Sequence, residues 1–374
     1  MRGFNVSEFA QRTAKAQALM AEHDLAALLL TTEPEVRYFT GYLTRFWESP
    51  TRPWFLIVPS SGKPIAVIPS IGADLMGQTW VEDIRTWSSP DLEDDGLSIV
   101  IATLQEVAKG GRVAIPDGHE THVRLPWASL QRIEARISLT SDAGIMRRLR
   151  MVKSEAEIAK VRQACQIAGR AFARVPEIAR EGVPLDEVFR RFQILGLEEG
   201  ADWVPYLAGA ASQVGYADVI SPARATPLER GDVLMLDTGL VYDGYFCDFD
   251  RNWSVGAPSK EVQNAHRRLI DAVSAGAEAA RPGATAADLF HAMNNELADG
   301  TDAGRLGHGL GMSLTEWPSL IPTDETVLAP GMILTLEPGI AIGDRIMVHE
   351  EVILITEGAP VFLSPQAGPE IAVL

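Results

Sequence analysis

Two segments in the second half of the chain repeat one pattern: Gly231-Asp-Val-Leu-Met-Leu-Asp237-Thr-Gly239 and Gly331-Met-Ile-Leu-Thr-Leu-Glu337-Pro-Gly339. Each is an apolar run of strand length that ends in an acid and, two residues later, a glycine. A carboxylate at the end of a buried strand is costly unless a cation or hydrogen-bond donors accompany it. The pattern therefore predicts paired strands that bring carboxylates to one place.

The first segment leads into a hairpin whose turn is Asp243-Gly244. This dipeptide is a strong turn signal, because primed two-residue turns need positive φ and glycine adopts it at low cost. With these two residues as the loop, Gly239 opposes Asp248 and Asp237 opposes Asp250. Asp237 and Asp248 then lie on one face as diagonal neighbours, where a shared cation would relieve their repulsion. We expect Asp250 on the same face, as an acceptor behind the metal or an extra ligand, paired with Arg251.

The second segment leads into a looser turn, Ala341-Ile-Gly343-Asp344, with room for a bulge in the returning strand, residues 345–356. Glu350 and Glu351 are adjacent, so strand alternation sends one inward and the other outward. Spacing alone leaves open which of the two faces the interior.

A histidine lies in the glycine-rich segment Gly307-His308-Gly309-Leu310-Gly311. A single histidine is more often a core residue than a ligand, but the flanking glycines and the nearby acids favour a ligand. One imidazole with several carboxylates is a hard, oxygen-rich set that suits manganese, iron, cobalt or zinc. Two such ions, about 3.5–4 Å apart, hold a bridging hydroxide as nucleophile and polarise the attacked carbonyl. The set predicts a two-metal hydrolytic site.

Composition excludes several other classes of protein. The net charge is −17 over 374 residues, and no basic cluster offsets it, so a nucleic-acid partner is disfavoured. No apolar run of about 18 residues and no basic segment before an apolar core is present, so we expect no membrane association and a cytoplasmic location. The two cysteines, Cys165 and Cys247, are too few for a disulfide framework and are expected to pack in the core.

The chain is long enough for two domains, which we place at residues 1–150 and 151–374. Alternating helix and strand patterns predict an α/β N-terminal domain, with a helix at Ser7–His23 and strands at Leu25–Leu30, Trp54–Pro59 and Pro64–Pro69. The last two strands form a hairpin through Ser60-Ser-Gly-Lys63.

The second domain opens at Ser154-Glu-Ala-Glu157, a capping-box pattern that follows a basic stretch ending at Lys153. Further helices are predicted at Pro184–Glu199 and Ser259–Ala280, with β-rich stretches at residues 203–256 and 305–363. Helices segregated from a largely antiparallel sheet make this domain α+β.

These segments together resemble the creatinase, prolidase and methionine aminopeptidase superfamily over essentially the whole chain. The matching motifs keep the family's order and approximate spacing: Asp237-Thr-Gly239, Tyr245-Phe-Cys-Asp248, Arg251, Gly307-His308-Gly-Leu-Gly311, Glu337-Pro-Gly339 and Glu350-Glu-Val-Ile-Leu-Ile-Thr-Glu357. The resemblance implies a catalytic domain of the pita-bread fold with an internal pseudo-repeat, preceded by a creatinase-type domain that helps to form a homodimer.

The resemblance also implies a ligand set. Asp248 and Glu350 would bridge two ions, Asp237 would complete one site, and His308 and Glu337 the other. Counting back from Thr356-Glu357-Gly358 selects Glu350 over Glu351, and Glu316 matches an expected catalytic acid.

Three departures from the proline-peptidase pattern accompany these matches. Thr315 stands where such relatives have a second histidine, Val348 stands where they have an arginine, and no histidine occurs between His122 and His266. His349 is a candidate proton carrier if an irregularity of the strand turns its side chain inward. The alternative, a side chain that points outward at the surface, is at least as well supported by the sequence. Arg345 is a candidate for the missing cation.

The leading functional prediction is a dinuclear metallohydrolase of the Xaa-Pro dipeptidase or aminopeptidase P type, acting on a small peptide or amide. The departures leave open the hypothesis that the substrate is a small zwitterionic metabolite, because relatives with an altered site include a dimethylsulfoniopropionate lyase and an ectoine hydrolase. A non-enzymatic binding protein is less favoured because the ligand set is intact. Substrate specificity is expected from loops at residues 44–49 and 203–206.

Overall fold

The computed structural model describes residues 3–49, 53–297 and 304–374. The chain divides into two compact units, Met1–Arg150 and Met151–Leu374. The α-helices of the described residues are α1 Val6–Glu22, α2 Glu33–Thr40, α3 Ala73–Met76, α4 Leu97–Ala108, α5 Trp127–Glu134, α6 Ile145–Met151, α7 Glu155–Ala173, α8 Val175–Ile178, α9 Leu185–Glu198, α10 Lys260–Ala279 and α11 Ala286–Leu297. Among these helices, none combines the length and the apolar character needed to cross a bilayer.

The strands of the described residues are β1 Leu25–Leu30, β2 Phe55–Pro59, β3 Ile65–Pro69, β4 Asp83–Trp87, β5 Arg112–Ile115, β6 Leu139–Ser141, β7 Trp203–Gln213, β8 Asp232–Tyr242, β9 Tyr245–Phe246, β10 Phe249–Ser254, β11 His308–Gly309, β12 Glu316–Ser319, β13 Ile333–Leu336, β14 Gly339–Ile342, β15 Arg345–Val348, β16 Glu351–Leu354, β17 Val361–Phe362 and β18 Ala372–Val373. The two longest strands of the described residues, β7 and β8, have 11 residues each.

The first unit is a mixed sheet with helices, in the strand order β4-β3-β2-β1-β5-β6. The predicted helix and strands are confirmed within one residue at each end. β2 and β3 form the predicted antiparallel hairpin, with Phe55 opposite Val67 and Ile57 opposite Ile65. The central strands β1, β2 and β3 are apolar on both faces. Helix α4 covers one of these faces, where its Val100 and Leu104 belong to one core cluster with Phe55 and Val113.

The second unit contains two five-stranded sheets and the β14–β15 hairpin, with the longer helices outside them. α7 begins where the sequence predicts, because Ser154 accepts a hydrogen bond from the Glu157 amide and Glu157 accepts one from the Ser154 amide. The predicted helices α9 and α10 are also confirmed within one residue at each end.

The two halves of the second unit repeat the same backbone contacts about one hundred residues apart. The amide of Gly182 donates to the Leu228 carbonyl at 2.8 Å, and that of Gly283 donates to the Leu328 carbonyl at 3.1 Å. At the start of each acid-bearing strand, the Gly231 amide donates to Val255 and the Gly331 amide donates to Ile355. Both of these glycines have positive φ, 96° and 90°. The sequence repeat therefore corresponds to a structural one.

The first hairpin has the predicted register. Tyr242 pairs with Tyr245 and Asp237 pairs with Asp250, so Asp243 and Gly244 form the two-residue loop. Both loop residues have positive φ, 48° and 79°, as a type I′ turn requires.

Helix α7 anchors this turn. Lys160 forms a buried ion pair with Asp243, and the Tyr245 hydroxyl donates to Glu157 Oε1 at 2.9 Å. Since Lys160 and Asp243 are only 4% and 7% exposed, each charge is compensated chiefly by protein groups. The pair fixes the end of the hairpin that carries the acids.

We expect Lys160→Met to destabilise the second unit by about 3–5 kcal/mol, because it leaves a buried carboxylate without its cation. Guanidinium unfolding followed by circular dichroism measures the change. Arg191→Met is the matched control in the same unit, since the Arg191–Glu187 pair is 51% and 37% exposed. Its loss should cost at most about 0.5 kcal/mol. Equal effects of the two substitutions would contradict a stabilising role for the buried pair.

Candidate metal centre

Three predicted ligands converge in the second unit. Asp248, His308 and Glu350 are buried, and one potential ligand atom from each lies within 4.8 Å of the others. His308 Nε2 is 3.4 Å from Asp248 Oδ2. The three come from distant parts of the chain: Asp248 from the first hairpin, His308 from the start of β11, and Glu350 from the break between β15 and β16.

Asp237 and Glu337 belong to the same electrostatic group. Asp237 lies in β8 directly opposite Asp250, and its Oδ2 accepts a hydrogen bond from the Tyr206 hydroxyl at 3.0 Å. Glu337 follows β13, and its amide donates to the Leu306 carbonyl at 3.0 Å. Unlike the other acids, Glu337 is partly exposed.

Burial, reinforced by the neighbouring carboxylates, holds the pKa of Asp237, Asp248 and Glu350 well above the ordinary range. Burial also raises the pKa of Glu337 to about 7. Asp237 Oδ1 and Glu350 Oε1 are buried and receive no hydrogen bond from the residues that the structure describes. Acids that repel one another and leave oxygens unpartnered fit a site for divalent cations, which would supply the missing positive charge.

His308 presents a nitrogen lone pair to this group. Its Nδ1 donates to the Gly309 carbonyl at 2.8 Å, which leaves Nε2 as the acceptor that faces Asp248. Burial lowers the pKa of His308 to about 4, so the ring is neutral near pH 7. A neutral imidazole with one free nitrogen is the form that binds a metal.

The returning strand of the second hairpin is irregular, and this irregularity determines where Glu350 and Glu351 lie. The turn is tighter than predicted, since Ile342 pairs with Arg345 around Gly343-Asp344. β15 then ends at Val348 and β16 begins at Glu351 in another sheet, so the expected bulge is a break at residues 349–350.

The prediction that one of the two adjacent glutamates points outward is wrong. Glu350 and Glu351 are both buried, at 2% and 1% exposure. Glu351 lies between Arg251, whose Nη2 donates to its Oε2 at 3.0 Å, and the Ala367 amide, which donates to its Oε1 at 2.9 Å. Simple alternation fails because the chain changes sheets between the two residues and the C-terminal segment covers the second one.

His349 and Asp250 form the layer behind Glu350. His349 is 1% exposed, so the alternative prediction of a surface histidine is wrong. Its Nδ1 is 3.3 Å from Asp250 Oδ1 and its Nε2 is 3.2 Å from Glu351 Oε1. Asp250 Oδ1 also accepts from the Glu350 amide at 3.0 Å. The ion pair of Arg251 is with Glu351, and its contact with Asp250 is to the main-chain carbonyl, not to the carboxylate as expected.

Glu316 forms an ion pair with Lys153, a residue that the sequence indicated only as the end of the basic stretch before the second domain. Lys153 Nζ lies 3.2 Å from Glu316 Oε2, with the side chains 1% and 2% exposed. Glu316 Oε1 accepts from the Ser313 amide at 3.0 Å. A β-carbon at Gly311 would lie 3.0 Å from both Glu316 Oε2 and Lys153 Cε, so the main chain at Gly311 packs closely against this pair.

Arg305 is a second cation that sequence reasoning missed. Its Nη2 donates to Thr315 Oγ1 at 3.4 Å, at the position of one of the three departures. Its positive charge opposes the burial that raises the pKa of Asp248 and Glu337, and it adds to the burial that lowers the pKa of His308. The signal available in the sequence was its place three residues before His308. By contrast, Arg345 lines a separate cavity of about 260 Å³ with Arg224 and Tyr216.

The two segments expected to set specificity differ in structure. Residues 203–206 begin strand β7, and Tyr206 reaches Asp237, so the expectation of a loop there is wrong. In residues 44–49, the Trp47 ring packs against Trp54 at a centroid distance of 5.7 Å, as a core contact within the first unit.

Comparison with known proteins identifies two family matches. The Creatinase/Prolidase N-terminal domain matches residues 12–152, and Metallopeptidase family M24 matches residues 159–357. A probable dipeptidase PepE of Mycobacterium tuberculosis is 30% identical over 96% of this chain and 95% of its own length. An Xaa-Pro dipeptidase of Pyrococcus horikoshii is 32% identical over 62% of this chain and 69% of its own length.

A solved structure supports the same relationship. The crystal structure of dipeptidase PepE from Mycobacterium ulcerans superposes with a TM-score of 0.85 at 27% identity, over 99% of both chains. The predicted fold class, an α+β catalytic domain after a smaller α/β creatinase-type domain, is therefore confirmed.

The raised pKa of Glu337 predicts how the metal-free protein responds to pH. Its carboxyl loses a proton near its ordinary pKa of 4.5 when unfolded but near 7 when folded, so ionisation favours the unfolded state in that interval. Relative to Glu337→Gln, the wild type should lose thermal stability as pH rises from about 4.5 to about 7 and stay constant above it. His308 acts in the opposite direction but is common to both proteins. A difference in unfolding temperature that does not change with pH would contradict this assignment.

Proposed function

Because the chain belongs to metallopeptidase family M24, we propose that it hydrolyses the peptide bond of a dipeptide with two bound divalent metal ions. The observation that carries the proposal is the convergence of buried Asp248, His308 and Glu350. Carboxylate oxygens of Asp237 and Glu350 there accept no hydrogen bond from any donor in the described part of the chain. Such a set is costly to bury for any purpose other than binding cations.

The five side chains would divide between the two ions. By resemblance to the superfamily, Asp248 and Glu350 would be shared by both ions, Asp237 would complete one site, and His308 and Glu337 would complete the other. When bound, the ions would lower the pKa of a water molecule and polarise the scissile carbonyl. Manganese, iron, cobalt and zinc all suit this donor set.

Asp250 and His349 are proposed to position Glu350. Asp250 accepts the Glu350 amide, and His349 in turn lies against the Asp250 carboxylate. Both side chains are buried, at 1% exposure, so protein contacts fix their orientation. Their part in the reaction is to hold a ligand in place, as outer-layer groups do in metal sites.

Glu316 is proposed as the group that moves protons between the attacked bond and its surroundings. Its carboxylate has a fixed orientation, because Lys153 holds one oxygen and the Ser313 amide holds the other. The strand register places Glu316 opposite Gly309, the residue that follows His308.

A dipeptide substrate is supported by the relatives. The two PepE proteins are described as dipeptidases, and the Pyrococcus horikoshii relative as an Xaa-Pro dipeptidase. Thr315 and Val348 lie where proline-cleaving enzymes have a histidine and an arginine, so a non-proline dipeptide is included in the proposal. The homodimer and the cytoplasmic location remain predictions, and size-exclusion chromatography with light scattering tests the first.

The direct test of the proposal is a metal-supplemented assay. Protein stripped of metal and reloaded with manganese, cobalt, zinc or iron is offered Xaa-Pro dipeptides, other dipeptides and small betaine-like or cyclic amide metabolites. We expect dipeptide hydrolysis that depends on metal and is lost in Glu350→Gln, together with bound metal measured by mass spectrometry. Glu357→Gln, an exposed acid, is the control and should keep both. Activity confined to the metabolites would replace the proposed substrate, and no activity with any metal would remove the proposed function.

Substitution of Glu316 separates proton transfer from metal binding. We expect Glu316→Gln to retain its metal content and to lower kcat by about 10²–10⁴-fold, the usual contribution of a positioned acid or base. The exposed Glu325→Gln is the control. Loss of metal from Glu316→Gln, or unchanged kcat, would show that Glu316 has another role.

A further inference from the structure

A cavity of about 260 Å³ lies in the second unit, along the edge of strand β7. β7 is the last strand in the order β18-β10-β8-β7, so its outer edge offers main-chain N–H and C=O groups. Four consecutive residues of β7, 209–212, line the cavity, and three of them are glycine or alanine. These small side chains leave the space open. Its volume is just below the roughly 300–1,000 Å³ of sites for drug-sized ligands, so it suits a smaller molecule.

The first cation that lines this cavity, Arg345, is carried by strand β15. The Tyr216 amide donates to the Ile346 carbonyl at 3.0 Å, and the Ile346 amide donates to the Tyr216 carbonyl at 2.9 Å. Gly215 has a φ of 140°, and a β-carbon there would lie 2.7 Å from the Ile346 carbonyl oxygen and 3.3 Å from Arg345 Cβ. The segment that follows β7 is therefore packed closely against the strand that carries Arg345.

The second cation, Arg224, is carried by a segment that is fixed to the start of helix α9. The Asp186 amide donates to the Arg224 carbonyl at 3.1 Å, and the Leu185 amide donates to the Thr226 carbonyl at 3.0 Å. These two hydrogen bonds anchor the backbone on either side of residue 225. The guanidinium is thus carried by a fixed segment of the chain.

Both guanidinium groups have hydrogen-bond donors available for a ligand. Within the described residues, Arg345 forms one ion pair, with Asp344 at 3.9 Å, and the two side chains are 36% and 90% exposed. A contact of this length with an exposed acid is weak. The exposed side chain of Arg224 forms neither an ion pair nor a hydrogen bond with another described residue. Two such cations at one cavity, in a chain whose net charge is −17, indicate a site for an anion.

One acid, Asp218, lines the same cavity. Its Oδ1 accepts from the amides of Ile220 and Ser221 at 3.1 and 2.7 Å, and its Oδ2 accepts from the Ser221 hydroxyl at 2.8 Å. The hydrogen bond from the Ser221 side chain contributes most to holding the pKa of Asp218 below its ordinary range, so the group is ionised near pH 7. A carboxylate has about four lone-pair sites, so it can accept a further donor. The cavity therefore presents two positive charges and one negative charge.

We propose that this cavity binds an acidic amino acid, L-glutamate or L-aspartate, with one carboxylate at each of Arg224 and Arg345 and the ammonium group at Asp218. Such a ligand carries two negative charges and one positive charge, which complement the three side chains. A guanidinium binds a carboxylate through two parallel hydrogen bonds. L-Glutamine would leave one guanidinium without a carboxylate, and glutarate would place no cation against Asp218. The site is distinct from the metal centre, since the residues that line it include none of the five proposed metal ligands.

Calorimetry on the full-length, manganese-supplemented protein tests this site with L-glutamate, L-aspartate, glutarate and L-glutamine. We expect the two acidic amino acids to bind more tightly than the other two probes. Arg224→Gln and Arg345→Gln should each weaken L-glutamate binding by about 10- to 100-fold, as for a lost charged hydrogen bond. Asp218→Asn should weaken the binding of L-glutamate and strengthen that of glutarate, because it removes an attraction for the ammonium group and a repulsion of the carboxylates. A folding defect would weaken both.

Two further variants serve as controls. Arg267→Gln replaces an exposed arginine of α10 that lines a different cavity, and it should leave the affinity for every probe unchanged. Glu350→Gln is expected to lose the bound metal and to retain L-glutamate binding, which separates this cavity from the metal centre. The unfolding temperature of each variant is measured, so that a loss of binding is attributed to the site only where the fold is retained.

Three outcomes would overturn the proposal. They are equal affinity for L-glutamate, glutarate and L-glutamine, or binding of none of them; L-glutamate binding that is unchanged in both arginine variants; and L-glutamate binding that is lost in a folded Glu350→Gln protein. Calorimetry requires no turnover. Failure of the dipeptide assay would therefore remove the proposed function without affecting these measurements.

Discussion

The constraint on which the second unit depends is the repulsion among carboxylates buried at one place. Asp237, Asp248 and Glu350 have raised pKa values because they are removed from water and lie near one another. Burying several carboxylates together destabilises a fold unless bound cations neutralise their charge. Three features hold these acids together against their repulsion. They are the β8–β10 hairpin, the break between β15 and β16, and the ion pair of Lys160 that anchors the hairpin turn.

Around this centre, the other buried charges compensate one another. Lys153 neutralises Glu316, and Arg251 neutralises Glu351. His349 links Asp250 to Glu351 and so ties the acceptor of the Glu350 amide to the C-terminal segment. The outer layer is therefore a set of ion pairs and hydrogen bonds that orient the inner acids.

Much of this arrangement followed from local patterns. The Asp243-Gly244 turn fixed the hairpin register, and the register placed Asp237 opposite Asp250, because turn geometry and strand alternation act over a few residues. The second hairpin was harder. Its tight turn, the break at residues 349–350 and the burial of both Glu350 and Glu351 depend on which sheet each strand joins, and alternation along one strand carries no such information.

By itself, the sequence determined the two-domain α/β and α+β organisation, the main helices and the acids that form the centre, because periodicity, capping and turn chemistry are local. Only the tertiary structure decided that Lys153 meets Glu316, that His349 lies inside between Asp250 and Glu351, and that Arg305 turns toward Thr315. Lys153 and Glu316 are 163 residues apart in the chain. Such contacts arise from the packing of sheets and helices against one another, and the spacing of residues along one segment does not encode them.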